Sequence, residues 1–337
     1  MEFGDWYLYW FKNYRAEGLR KASIEKYMLI YRRYVKYGFA KLEIEKIQRS
    51  DIQKFVHEFG KTHAKETVKR VADDIRASLD DAMIDNLIPG SPYVHIELFY
   101  TEKAMTAQQK KAKRDKKKWL EIDEYQRLKN FLVLWLAHYL DSDATSLRKD
   151  GRSYDNEMPV QFYVMVIYFA LLSGCRLSEI LGLTIDDINF ETGIISINKT
   201  WDYKYYNEFA DTKNISSLRD IKIPDELLKE TKRWIEWRKQ YNTFDEKRPL
   251  FVAKYRNFID STLNQILTRL LKLCAIERIS FHKLRHTHAS ILIAQGISLQ
   301  VVAKRLGHSD TQMIQRIYGH LLKSVDESET EKILGLL

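Results

Sequence analysis

Apolar residues recur every three or four positions through most of this chain, the spacing that buries one face of a helix. In the first third the pattern predicts helices over about 3–16, 22–37, 50–59 and 63–86. The last of these, AKETVKRVADDIRASLDDAMIDNL, keeps Lys and Arg off its apolar stripe, and Ser50 followed by Asp51 reads as a cap for the third. Pro89, Gly90 and Pro92 then end the helical pattern. Beyond Trp119, helices are expected over about 123–140 and 159–173. The polar stretch between them, DSDATSLRKDGRSYDNEM, is expected to be a mobile loop. The period then changes to two, with alternating runs at 194–199 and 218–223 joined by a long tip. Pro224 and Asp225 open another helix, and the remainder reads as helical. The fold class is therefore mainly α with a small antiparallel β-sheet in the C-terminal domain.

Composition narrows the setting. A chain of 337 residues is long enough for two domains with separate cores. It is 45% hydrophobic and 30% charged, without an apolar run of about 18 residues, so no membrane span is expected. The N-terminus lacks the basic region of a signal peptide. The two cysteines, Cys175 and Cys274, suit a reducing cytoplasm better than a disulfide framework. Net charge is +9, and +6 of it lies between residues 101 and 118 in TEKAMTAQQKKAKRDKKK. That concentration suggests a strap along a polyanion, with Lys110, Lys111, Lys113, Arg114, Lys116, Lys117 and Lys118 as DNA-binding candidates. A solubilising linker is the plainer alternative. The resulting boundaries are a helical domain at 1–100, a basic linker at 101–118, a second domain at 119–322 and a C-terminal segment at 323–337.

Candidate chemistry gathers in the second domain. SGCRLSEI places Arg176 at the start of a helix, with Glu179 in its first turn. DTKNISSLRDI places Lys213 on the approach to a strand, and FHKLRHTHAS sets His282 and Arg285 on one helical face. LGHSD supplies His308, and Tyr318 follows beside an apolar stripe of Met313, Ile314, Ile317 and Leu321. His286 and His288 form an HxH pair, too little by itself for a metal site.

Taken together, Arg176, Lys213, His282, Arg285, His308 and Tyr318 resemble the signature of the tyrosine recombinase (phage integrase) family in order and spacing. SGCRLSEILGL, HKLRHTHAS and LGHSDTQMIQRIYGH resemble its motifs over residues 119–322, and residues 1–100 more weakly resemble its helical core-binding domain. The resemblance implies a two-domain DNA clamp that cleaves and rejoins strands through a 3′-phosphotyrosine on Tyr318. It implies no metal, no cofactor and no ATP. Arg176 and Arg285 would clamp the phosphate oxygens, His282 and His308 would bond the phosphate or move protons, and Lys213 would protonate the leaving oxygen. Lys222 and Lys199 are the alternatives for that last role.

The implied partners are double-stranded DNA attachment sites, a homo-tetramer on DNA and an accessory DNA-bending or directionality protein, in a bacterial or phage cytoplasm at the nucleoid. The apolar KILGLL terminus would dock on its own domain or on a neighbour. Many such integrases carry a further N-terminal domain for arm sites, whereas this chain starts almost at the bundle, so a simple protein and a trimmed longer one are both expected forms. Three other readings are weighed: a topoisomerase-like relaxing activity, an idle site-specific DNA-binding protein, and a Mg²⁺ nuclease or transposase, for which no carboxylate triad stands out.

Overall fold

Phe3, Trp6, Tyr7 and Trp10 share one side of the first helix, and their burial explains why so aromatic a segment folds as it does. The computed structural model describes residues 1–114, 117–141, 159–212, 214–240, 245–253 and 257–308, with 311 and 315. The polar 142–158 stretch, Lys116, Lys213, Tyr318 and the 323–337 segment lie outside the described residues. Two units are present, Met1–Lys116 and Lys117–Leu337.

The N-terminal unit is helical. It contains α1 (Phe3–Trp10), continued by a wider π turn at Phe11–Arg15, then α2 (Lys21–Lys36), α3 (Arg49–Gly60), α4 (Lys65–Ile84) and α5 (Ala107–Arg114). Its core is dominated by rings, with Phe3 and Phe39 at 4.8 Å, Tyr7 and Tyr34 at 5.1 Å and Tyr34 and Phe55 at 5.6 Å, mostly edge to face. Buried polar ring atoms need partners, and α4 supplies them. Tyr7 and Tyr34 hydroxyls donate to Asp74 (2.8 and 2.9 Å), the Trp6 indole to the Ser78 carbonyl (2.9 Å) and the Trp10 indole to Asp81 (2.6 Å). One expectation is corrected here: α3 is capped by Gln48, whose N–H donates to Asp51 at 2.9 Å, and Ser50 lies inside the helix. Asp51 thus acts from the third helical position, as a capping-box acid does.

Residues 101–114 belong to the same unit. The Thr101 N–H donates to the His63 carbonyl (3.0 Å), and Thr106 with Gln109 forms a reciprocal cap (2.9 and 3.2 Å) that starts α5. Much of the basic segment is therefore a helix. Lys110 and Lys111 on it are exposed, while Lys113 is paired with Glu102 at 2.5 Å.

The C-terminal unit is built around α7 (Val160–Ser173), whose residues from Gln161 to Ser173 are all buried. A helix apolar all round has to be central. Packed about it are α6 (Ile122–Asp141), which turns Leu128, Leu132, Leu136 and Leu140 inward, and α8 (Leu177–Leu181). After a three-stranded sheet come α9 (Asp225–Lys239), α10 (Asp260–Leu273), α11 (His282–Ala294) and α12 (Leu299–Leu306). The strands are β1 (Ile188–Asn189), β2 (Ile194–Ile197), β3 (Lys199–Asp202), β4 (Glu208–Asp211) and β5 (Arg219–Lys222). β1, β2 and β5 form one antiparallel sheet, with Ile195 opposite Ile221. The tip expected between the two alternating runs carries strands of its own: β3 and β4 pair as a second hairpin, fastened by Trp201 against Phe209 at 5.1 Å. The reason is local, since alternating apolar and polar residues continue past Asn198. No helix among the described residues is long and apolar enough to cross a membrane.

Candidate active site

Arg176 lies immediately before α8, in extended conformation, and Glu179 returns to cap it. Glu179 accepts from the Arg176 N–H at 2.8 Å and from its guanidinium at 2.7 Å, so it both orients the arginine and caps its helix. The second Arg176 nitrogen donates to the Gly307 carbonyl at 3.2 Å, and about a third of the side chain stays exposed.

Arg285, on the first turn of α11, is buried. Its guanidinium donates to the Gly174 carbonyl (2.8 Å), the Leu306 carbonyl and His308 Nε2 (3.0 Å). Two of these anchors need glycine nearby. Gly174 and Gly307 adopt φ of +71° and +68° after α7 and α12, ending those helices so that their last carbonyls turn towards the arginines. Any side chain at Gly174 would also strike the His288 ring, at 2.6 Å.

Because a guanidinium only donates, His308 Nε2 accepts and its ring is neutral with the proton on Nδ1. Burial, and after it Arg285 and Arg176, push His308 down to about 4. Burial followed by Arg176 lowers Arg285 to about 10. The His282 ring is open to solvent on one side, yet the surrounding protein, then Arg285 and Arg176, lower it as well. It stands edge to face with His286 at 5.2 Å. His288 is occupied otherwise: it accepts from Arg305 at 3.0 Å and faces the Leu171 carbonyl at 3.3 Å.

Four of the six sequence candidates, Arg176, His282, Arg285 and His308, thus converge from three separate segments. Lys213 and Tyr318 lie outside the described residues. Of the alternatives to Lys213, Lys199 is bound to Asp187 and to Asn198 (3.1 Å), and Lys222 is exposed on β5. Within the basic segment, Lys117 is bonded to Glu124 and half-buried, whereas Lys118 is exposed.

Sequence reasoning missed Arg219. Its side chain is buried, and its two terminal nitrogens donate to Glu179 at 2.9 and 3.2 Å. The available signal was its place in the strand, on the same face as the buried Ile221, where an arginine requires an acid. Three arginines and one carboxylate leave the cluster with an excess of positive charge beside neutral imidazoles, a setting suited to a doubly or singly charged oxyanion.

The phage integrase family model matches residues 153–324, just over half of the chain, and the phage integrase N-terminal SAM-like domain matches residues 2–60. An integrase of Staphylococcus phage L54a is 24% identical over 60% of this chain and 61% of its own length. The ICEBs1 integrase of Bacillus subtilis is 30% identical over 50% of this chain and 47% of its own length. The chain thus spans about half to three fifths of these curated relatives. Among solved structures, the integrase of transposon Tn1549 in complex with transposon right end DNA is 18% identical and covers 99% of this chain, as the chain covers 100% of it, with a TM-score of 0.69. A lambda integrase dimer bound to a core site is 15% identical over 93% of this chain and 97% of its own, with a TM-score of 0.55. These likenesses show a shared fold of helical domains with small antiparallel sheets. With the family model spanning every candidate from Arg176 to Tyr318, the chain belongs to the phage integrase family.

Proposed function

We propose that the protein is a site-specific DNA recombinase that cuts and rejoins strands through a covalent bond between Tyr318 and the 3′ phosphate. The observation that carries this reading is the convergence of Arg176, Arg285, His282 and His308, inside the region matched by the phage integrase family. The relatives named above are integrases, and two solved neighbours hold DNA, which supports double-stranded attachment sites as the substrate.

A phosphodiester is anionic, and attack places further charge on its non-bridging oxygens. Arg176 and Arg285 face that charge with forks already held in place, so little reorganisation is needed as it develops. Among the described residues Arg285 makes three protein bonds, which leaves two of its N–H groups without a described partner. The Tyr318 oxygen attacks phosphorus as its proton leaves, the bond to the 5′ oxygen breaks, and that oxygen takes a proton from Lys213. The neutral imidazoles of His282 and His308 are fit to accept or relay a proton near neutral pH. A 5′ hydroxyl from another strand reverses the step, so no ATP is consumed. In this reading the N-terminal unit is the core-type DNA-binding domain, the 101–118 segment contributes basic contacts, and four protomers assemble on two duplexes.

Tyr318→Phe is the direct test. On a nicked duplex that traps cleavage, the variant should bind like wild type and form no covalent adduct. An adduct of undiminished yield would remove Tyr318 from the reaction.

A further inference from the structure

Arg219 makes four hydrogen bonds that tie together parts of the candidate site. Its Nε donates to the Arg305 carbonyl (2.8 Å), Nη1 to the Ser217 carbonyl (2.8 Å) and to Glu179 Oε1 (3.2 Å), and Nη2 to Glu179 Oε2 (2.9 Å); Arg176 donates to the same Oε1 at 2.7 Å. Gly307 lies directly on the Arg219 guanidinium, where a Cβ would stand 2.8 Å from Nη1. One residue on β5 thus holds the acid of α8 and the last turn of α12, the two places from which Arg176 and His308 project.

The two arginines on Glu179 are unequal. Arg219 is 5% exposed and Arg176 32% exposed, while Glu179 is 2% exposed. A carboxylate so deeply buried must be matched by positive charge. With Arg219 in place, that demand is met from the inner side, and the outer edge of Arg176 stays open. Without Arg219, Arg176 would be the only guanidinium on Glu179 among the described residues and would be drawn inward, turning its fork away from a phosphate.

We propose that Arg219 is a positioning residue for strand cleavage, which satisfies Glu179 so that Arg176 remains available to the scissile phosphate. This rests on the recombinase reading above. The test measures single-turnover adduct formation and equilibrium binding on nicked duplexes drawn from DNA flanking the coding sequence. Arg219→Gln should cleave about 10- to 100-fold more slowly, the usual range when an outer partner that orients a functional group is lost, with site affinity unchanged. Adding Glu179→Gln removes the claim on Arg176, so the double variant should cleave faster than Arg219→Gln alone. A purely structural role for Arg219 gives no such recovery. Wild-type rates in Arg219→Gln, or a folded double variant no faster than the single, would overturn the proposal. If Arg219→Gln does not fold, the double variant decides by itself, since it buries no unpaired charge: cleavage within about tenfold of wild type supports the proposal, and a loss like that of Tyr318→Phe overturns it. Failure of the wild-type protein to form any adduct would instead sink the recombinase reading.

Discussion

Asp74 in the N-terminal unit and Glu179 in the C-terminal unit are both buried, hydrogen-bonded carboxylates, yet they behave in opposite ways. Asp74 accepts from two phenols, and burial drives it up to about 6 even though both hydrogen bonds and Arg15 pull it down. Burial acts on Glu179 in the same direction, but the Arg219 bonds and charge, then Arg176, more than offset it and hold the group below the ordinary carboxylate range. A phenol satisfies the lone pairs of an acid without balancing its charge, whereas a guanidinium does both. The first arrangement serves packing. The second stores a fixed charge pattern that a phosphate can complete.

The comparison breaks most readily on a single amide substitution made at both places. Glu179→Gln leaves buried Arg219 without its counter-charge and should destabilise the C-terminal unit by about 3–5 kcal/mol. Urea denaturation followed by hydrogen exchange in α7 and α8 would measure it, and a change below about 1 kcal/mol would show the pair to be dispensable. Asp74→Ala leaves the Tyr7 and Tyr34 hydroxyls only their longer bonds to the Tyr27 and Val71 carbonyls (3.5 and 3.3 Å) and should cost the N-terminal unit about 1–3 kcal/mol. Asp74→Asn keeps an acceptor where both phenols point, and its effect at neutral pH should stay within about 1 kcal/mol.

Acidity sharpens the same contrast. The folded Asp74 value of about 6 lies above its unfolded 3.8, so its contribution is complete below 3.8 and is lost as pH rises through 6. His308 at about 4 and His288 at about 3 lie below 6.5, so theirs is present above 6.5 and is lost as pH falls through those values. Between about pH 4.5 and 6.5, raising the pH should therefore increase hydrogen-exchange protection in α11. Over the same range it should narrow the stability difference of wild type over Asp74→Asn in α4. Parallel shifts in both would contradict the assignment. The smallest effect concerns salt. Neutralising exposed Lys110, Lys111 and Lys118 should flatten the dependence of DNA binding on log salt by up to about 0.9 per lost phosphate contact. The same change at Lys113 and Lys117, already matched by Glu102 and Glu124, should alter the slope much less.

Periodicity places most helices within a few residues, because each buries a continuous stripe: the pattern gives 22–37 for α2 (Lys21–Lys36) and 50–59 for α3 (Arg49–Gly60). It was less informative about the hairpin of β3 and β4, whose second strand is exposed throughout and lacks an apolar face to announce it. The basic run is legible as charge, but its division into a helix, two paired lysines (Lys113 with Glu102, Lys117 with Glu124) and the exposed Lys110, Lys111 and Lys118 depends on how the backbone folds, which charge alone does not give.

By itself the sequence determined the helical character of both units and the family, and it singled out Arg176, Arg285, His282 and His308 as candidates, since these are carried by short-range spacing and by residue type. Only the tertiary structure decided that Glu179 is shared between Arg176 and Arg219, and that His308 is neutral because Arg285 donates to it. It also decided that His288 is already occupied by Arg305. The physical reason is that charge state and availability depend on burial and on partners up to 131 residues away, as for Arg176 and Gly307. Neither quantity has a local signature in the chain.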